Sequence, residues 1–305
     1  MSSEIEEISY ENLGSSLKKK PSAPRSIFGM VMTGLATACM ILTLIPLFAV
    51  LTYVAIQGLN RLNLDLFTKL PPPPGLSGGG IANAIIGTLI VVGIAAAIAV
   101  PVGVLAAVYL SEFSGNNQIA RGVRFATNVL SGVPSIIAGI FAYGLLVAPI
   151  LGMQGGLLGF SAIAGGVALA VLMLPTIIRT TDEALQIVPQ DIRWAAFGIG
   201  AYNYQTVLKV VLPAAVPAII TGVTLSIARA AGETAPLIFT ALYSNFWPKG
   251  IKEPIATLSV LVYNFAIVPF KPQQELAWAG SLILVFLVLV TSVLARWFTR
   301  QKVYR

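Results

Sequence analysis

From Phe125 to Ile178 the chain carries no charged side chain, and Ile27–Ile56, Ile81–Leu110 and Leu276–Ala295 are uncharged as well. A helix needs ~20 apolar residues to cross the hydrocarbon layer of a bilayer. Such runs belong either to a membrane protein or to the buried core of a large soluble one, and composition separates the two. Only 10% of the 305 residues are charged and 56% are hydrophobic, against ~25% charged in ordinary soluble domains. A chain with so little charge cannot cover a water-exposed surface. The reading is an all-α integral membrane protein whose ligand on most sides is the lipid bilayer.

The long uncharged run divides at the glycine-rich stretch Gly152–Phe160 into spans Phe125–Leu151 and Ser161–Ile178, a tight hairpin. With Ala214–Leu242 this makes six spans. Pro71–Pro74 and Gly78–Gly80 break the chain between the first two. Residues 1–26 are polar and read as a disordered cytoplasmic tail, 27–298 as one six-helix transmembrane domain, and 299–305 as a second short tail. The run after residue 26 is too long for a cleaved signal peptide and fits a retained anchor. With the N-terminus inside, thirteen Lys and Arg fall in inner segments and five in outer loops, so both ends are expected in the cytoplasm. That scatter of basic residues is a membrane-orientation pattern, so nucleic acid is not expected as a partner. The single cysteine, Cys39, and the absence of histidine leave no disulfide framework, no common zinc motif and no Ser-His or Cys-His catalysis. No metal and no catalytic residue is expected, and no phosphate-binding Gly-Lys-Ser/Thr loop is present for ATP.

The interval from Thr180 to Pro213 is the longest polar stretch after the tail. Thr180 and Glu183 have the spacing of a capping box, which predicts a helix start at Thr180. Pro189 suits the first turn of a short second helix, ended by Gly198 and Gly200, and Tyr202 restarts a helix into the fifth span. This is either a knob projecting into the cytoplasm or an ordinary capped loop.

Within Ala214–Leu242 the only charges are Arg229 and Glu233, four residues apart and so on one helical face. A charge inside the membrane costs at least ~2.5–3.5 kcal/mol on insertion scales and usually faces a bundle interior. Pro236 cannot donate to the Gly232 carbonyl, which predicts a kink there. The pair reads as a polar point on a pathway through the membrane, or as an internal salt bridge between helices. In the third span, a break at Gly132-Val133-Pro134-Ser135 would turn backbone amides or the Ser131 and Ser135 hydroxyls toward such a pathway; the alternative is a kink that only shapes packing. Asn83 and Thr88 read as ordinary interhelical hydrogen-bonding residues.

Trp194-Ala195-Ala196, followed by Gly200 and by Leu212-Pro213, resembles the EAA motif of type I ABC importer permeases, with Trp194 where that motif usually has glutamate. The segments 81–89, 106–112, Gly132–Ser135, 174–185 and Arg229–Pro236 resemble the A-type permease subunit of phosphate-specific ABC importers, with coverage of roughly residues 27–298. The resemblance implies a six-span permease with a cytoplasmic coupling helix between spans four and five. That helix would dock on an ATP-hydrolysing partner through Asp191, Trp194, Ala195, Ala196, Gly200, Leu212 and Pro213. It also implies a homologous C-type permease subunit, two ATP-binding subunits carrying ATP and Mg, an extracytoplasmic phosphate-binding protein and a bacterial inner-membrane location. No cofactor is implied on this chain.

The expected function is passage of inorganic phosphate into the cytoplasm, driven by ATP hydrolysis on a separate subunit. A guanidinium offers a planar fork of donors that matches paired phosphate oxygens. Arg229 therefore suits the anion, and Glu233 would hold the fork between passages. Another oxyanion, or an ATP-independent secondary anion transporter, are the competing readings; an intramembrane enzyme lacks the residues for its chemistry.

Overall fold

The computed structural model describes residues 24–115, 117–148 and 157–298, and among these the chain is mostly helical, with no strand. Residues 1–23 and 299–305, most of both tails, and the centre of the glycine-rich turn lie outside the described residues. Two compact units are present, Met1–Tyr53 and Val54–Arg305. What is described of the first is the larger part of helix α1, Pro24–Leu59. There Thr33, Thr37 and Thr43 each donate the hydroxyl to a carbonyl one turn earlier, at 2.8 Å. That device keeps polar groups satisfied on an apolar helix.

In the second unit, the proline- and glycine-rich connection is ordered by a short helix α2, Leu64–Thr68, capped by Asn63. Helix α3, Ala82–Val108, continues through a π-helical turn at Tyr109–Phe113. Helices α4, Gln118–Gly132, and α5, Ser135–Leu146, follow, then α6, Ala162–Gln186. A cytoplasmic-side helix by the sequence reading, α7, spans Gln190–Gly198. Next come α8, Asn203–Thr206, a π turn at Val207–Val211, and α9, Leu212–Gly232. The chain ends with α10, Ala235–Thr240, α11, Leu258–Ile267, and α12, Lys271–Phe298.

Among the described residues, five helical stretches are long and apolar enough to cross a membrane, and the bent pair α4 and α5, counted as one crossing, makes six. Small residues decide how these pack. Ala95, Ala99 and Ala162 are fully buried in one core with Val91, Leu169 and Ile177. Without side chains to hold them apart, helix backbones approach closely. A second core around Leu66, Ile81, Leu258 and Leu276 joins α2, α3, α11 and α12. The third, of Leu185, Val188, Val211 and Ala215, joins the end of α6 to the second π turn and the start of α9.

The break offered as one alternative at Gly132-Val133-Pro134-Ser135 is present, since α4 and α5 meet at 111°. Val133 is extended because the proline that follows it disfavours helical backbone, and Pro134 has no N–H to continue the ladder. Three sequence expectations are corrected. At Pro236 the helix does not kink but stops, at Gly232, and Pro236 sits in the first turn of α10, where no N–H is needed. Thr180 caps nothing, because α6 runs unbroken to Gln186 and the Thr180 hydroxyl donates to the Thr176 carbonyl at 2.8 Å. Finally, the outer segment after residue 242 is not only loop. It contains α11, whose Leu258 and Leu261 are fully buried, and α12 begins at Lys271 instead of Leu276.

Candidate functional site

The Arg229–Glu233 pair is built by the end of α9. Glu233 caps that helix in an extended conformation, with its N–H on the Ala230 carbonyl at 3.2 Å. Its own carbonyl accepts from the buried Ser259 hydroxyl of α11 at 2.9 Å. The two side chains form an ion pair, Arg229 Nε to Glu233 Oε1 at 3.5 Å. Their environments differ: the Arg229 side chain is 70% exposed on this chain and that of Glu233 16%. Both belong to one segment, so this bridge ties no two helices together. A cation in the last turn also sits well against the negative end of the helix dipole. The arrangement presents a guanidinium outward while holding its counter-ion fixed.

The second break lies at Val133-Pro134. Ser131 donates its hydroxyl to the Thr127 carbonyl at 2.8 Å, within its own helix, and Ser135 opens α5 half-buried. No hydrogen bond or ion pair among the described residues joins either serine to Arg229 or Glu233. What brings the two breaks together is Gly139, one turn beyond Ser135. A Cβ built there would lie 2.7 Å from the Pro236 Cα and 3.3 Å from the Ala235 carbonyl oxygen. Only glycine lets α5 lie this close to the start of α10. Asn83 donates to the Ser244 carbonyl at 2.9 Å, and the Thr88 hydroxyl accepts from the N–H of Leu258, the first residue of α11, at 2.8 Å.

Helix α7 carries the motif residues Asp191, Trp194, Ala195 and Ala196. Asp191 lies in its first turn, where a carboxylate complements the helix dipole. Gly200 follows with φ +86°, a conformation costly for residues with a side chain, and its N–H reaches the Phe197 carbonyl at 2.9 Å. Ala196 is buried, whereas Trp194 is 65% exposed, Ile199 88% and Tyr202 69%. Large exposed apolar side chains at and just beyond a short helix are of the kind that partners cover. Leu212 packs against the third core, partly buried, and Pro213 stands exposed at the start of α9. Pro213 has no N–H for the Lys209 carbonyl and crowds it, so the turn before it widens: the Leu212 N–H reaches back to Val207.

Sequence reasoning missed the residues that anchor these parts. Arg193 Nη1 pairs with Glu112, eighty-one residues away, and both side chains are largely buried. Arg124 pairs with Asp182 at 2.8 Å and donates to the Leu110 carbonyl at 3.0 Å. Ser259, in a segment read as loop, holds the break at Glu233. None of these pairs has a local spacing that would reveal it. Among the described residues, no three His, Cys, Asp or Glu side chains gather to hold a metal.

Likenesses to known proteins extend over most of the chain. Residues 99–303 match the family model described as binding-protein-dependent transport system inner membrane component, a stretch that includes both helix breaks and α7. The chain belongs to that family. Among curated relatives of this permease is the phosphate transport system permease protein PstA of Yersinia pestis, 39% identical, covering 93% of this chain and 94% of the relative. PstA 1 of Mycobacterium tuberculosis is 34% identical and covers 89% and 88%. The probable ABC transporter permease YqgI of Bacillus subtilis is 32% identical over 90% and 95%. Among solved structures, a bacterial alginate ABC transporter chain aligns with TM-score 0.65 at 14% identity, over 92% of this permease and 98% of that chain. The MetNI methionine ABC transporter aligns with TM-score 0.53 at 22% identity, over 72% and 92%. The permease therefore has the ABC importer transmembrane fold.

Proposed function

We propose that this permease moves inorganic phosphate from an extracytoplasmic binding protein into the cytoplasm, as one half of a transmembrane pair. The other half is a homologous C-type permease, and two ATP-binding subunits supply energy by hydrolysing ATP with Mg. The site is the Arg229–Glu233 pair with Ser131 and Ser135 contributing from the other break, and no cofactor binds this chain. The protein spans the bacterial inner membrane several times, with residues 1–26 and 299–305 as cytoplasmic tails of the domain at 27–298.

The observation that carries the reading is the outward guanidinium. A cation in an apolar run that is 70% exposed on its own chain cannot face lipid at low cost. It faces a partner subunit or a wet pathway, and two of the relatives named above are phosphate transport system permeases. Arginine remains charged when partly desolvated and binds paired oxygens through two N–H groups. The test is uptake of labelled phosphate by the complex reconstituted in vesicles with its binding protein. Uptake that needs internal ATP and is not matched by sulfate or molybdate is expected. Uptake indifferent to ATP would identify a secondary transporter, and preferred sulfate or molybdate uptake another oxyanion permease.

Helix α7 is the docking element for the ATP-binding subunit, through Asp191, Trp194, Ala195, Ala196 and Gly200, with Leu212 and Pro213 restarting the fifth span. Trp194→Asp places a charge on the apolar face, and Gly200→Val forces a branched side chain into positive φ. Both are expected to leave the permease in the membrane and to reduce co-purification of the ATP-binding subunit by about tenfold or more, as losses at interface anchors do. Wild-type capture by both variants, with normal uptake, would show that α7 is not the docking site.

Orientation has its own check. In a Cys39→Ala background, single cysteines at Ser77 and Gly250 are expected to react with an impermeant thiol reagent from outside. Cysteines at Gln118 and Tyr202 should react only after permeabilisation. Outside labelling at residue 202 would remove the docking reading together with the topology.

A further inference from the structure

Helix α7 has only nine residues, fewer than an isolated helix needs to be stable in water. What fixes it is one side chain on its inner face. Arg193, 12% exposed, donates through Nη1 to Glu112, 6% exposed, and through Nη2 to the Leu185 carbonyl in the last turn of α6 at 2.8 Å. One guanidinium thus joins α7, the end of α6 and the end of α3.

The α3 side of this joint is unusual. Glu112 lies in the π turn Tyr109–Phe113, where the backbone bonds have slipped by one residue. Such turns occur often at functional sites. The turn is gripped from a second direction: the Leu110 carbonyl accepts from Arg124 of α4 at 3.0 Å and from the Ser114 hydroxyl at 2.8 Å. Arg124 is in turn held by Asp182 of α6 at 2.8 Å. A chain of charged contacts therefore runs from α7 through the π turn to α4, the first half of the bent span, which ends at Gly132.

We propose that Glu112 and Arg193 are positioning residues that transmit displacement of α7 to the π turn and so to α3 and α4. This rests on the reading of α7 as the docking helix. Two apolar neighbours would hold α7 in place equally well, since buried ion pairs stabilise no better than packed hydrophobic side chains of similar volume. They would not transmit direction. The fork of Arg193 fixes both the angle and the distance at which α7 sits from two helix ends, so α7 cannot move without moving the Glu112 carboxylate or losing it.

The test uses the full complex with both permeases, the ATP-binding subunits and the phosphate-loaded binding protein. Its readout is the ratio of ATP hydrolysis with the loaded binding protein to hydrolysis without it. Glu112→Gln leaves a buried guanidinium without its counter-charge, so it is paired with the double variant Glu112→Leu with Arg193→Met, which removes both charges and keeps the volume. The double variant is expected to assemble and to capture the ATP-binding subunit at wild-type yield, while the stimulation ratio falls about tenfold, within the range for disrupted coupling. Arg193→Lys, which keeps charge but not the fork, should fall between. Normal stimulation in the double variant would overturn the proposal, because the pair would then only fill space. Failure of the double variant to assemble would overturn it too, because the pair would then hold the fold. Should Trp194→Asp and Gly200→Val capture the ATP-binding subunit normally, it is the docking reading that falls.

Discussion

Replacing Arg229 with glutamine is expected to abolish phosphate uptake while the complex still assembles. The geometry sets this expectation. Arg229 is largely exposed on its own chain and bonded at 3.5 Å to a residue of the same segment, so its removal opens no gap between helices. If instead the pair were a structural lock, deleting one partner would leave a buried charge unpaired, at a cost of roughly 3–5 kcal/mol, and assembly would fail. Complex yield and uptake, measured together, separate the two.

Arg229→Lys should transport poorly, since an ammonium is a point charge without the fork. Exchanging the pair, Arg229→Glu with Glu233→Arg, should not restore uptake. Position 233 is recessed and its backbone is held by the Ser259 hydroxyl, so an arginine there points from a different place. Restored uptake in the exchanged variant would sink the pathway reading, and lost assembly in Arg229→Gln would sink it as well.

The parts of the architecture that depend on local rules were legible in the sequence. Apolar length located the crossings, Pro189 and Gly200 marked the limits of α7 to within a residue or two, and Tyr202 marked the start of α8. The Arg229–Glu233 pair was found because charge is scarce in an apolar run. Where the reading went wrong, a local signal lost to a longer-range one. Thr180 and Glu183 have capping spacing, but α6 keeps its ladder because Ile177 and Leu185, on either side, are both fully buried. Glu183 pairs with Arg179 at 3.1 Å instead of turning back to a cap.

Helix α11 escaped because its ten residues are too few to cross a bilayer and they follow a stretch rich in lysine, proline and glycine. Its burial comes from Ile81 and the Thr88 hydroxyl, both remote in sequence, and from Leu276 in the helix that follows. The same is true of Glu112 and Arg193. Neither is unusual where it stands, and only the fold places one against the other. The break at Pro134 was visible as a possibility, but its angle was not, since that depends on what α5 packs against.

What α5 packs against gives the second large effect. Gly139→Val is expected to impair both the stability of the complex and its uptake. A Cβ at residue 139 would lie 2.7 Å from the Pro236 Cα, a backbone atom with no rotamer to escape into, and 3.3 Å from a ring carbon of Phe239. Overpacking of this kind costs about 1–3 kcal/mol. The strain falls on α10, which has six residues and begins two positions after Glu233, so the break that presents Arg229 must shift with it. Gly144 supplies the control. It lies in the same helix α5, yet a Cβ there meets nothing within 4 Å on this chain. Replacing glycine by alanine within a helix should stabilise it by about 1 kcal/mol where space is free. Gly144→Ala is therefore expected to be neutral or stabilising, Gly139→Ala to be worse than Gly144→Ala, and Gly139→Val to lose most of its uptake. Thermal unfolding of the purified complex and labelled-phosphate uptake are the two measurements. If Gly139→Val matched Gly144→Val in both, the contact between α5 and α10 would not be what sets the two breaks side by side.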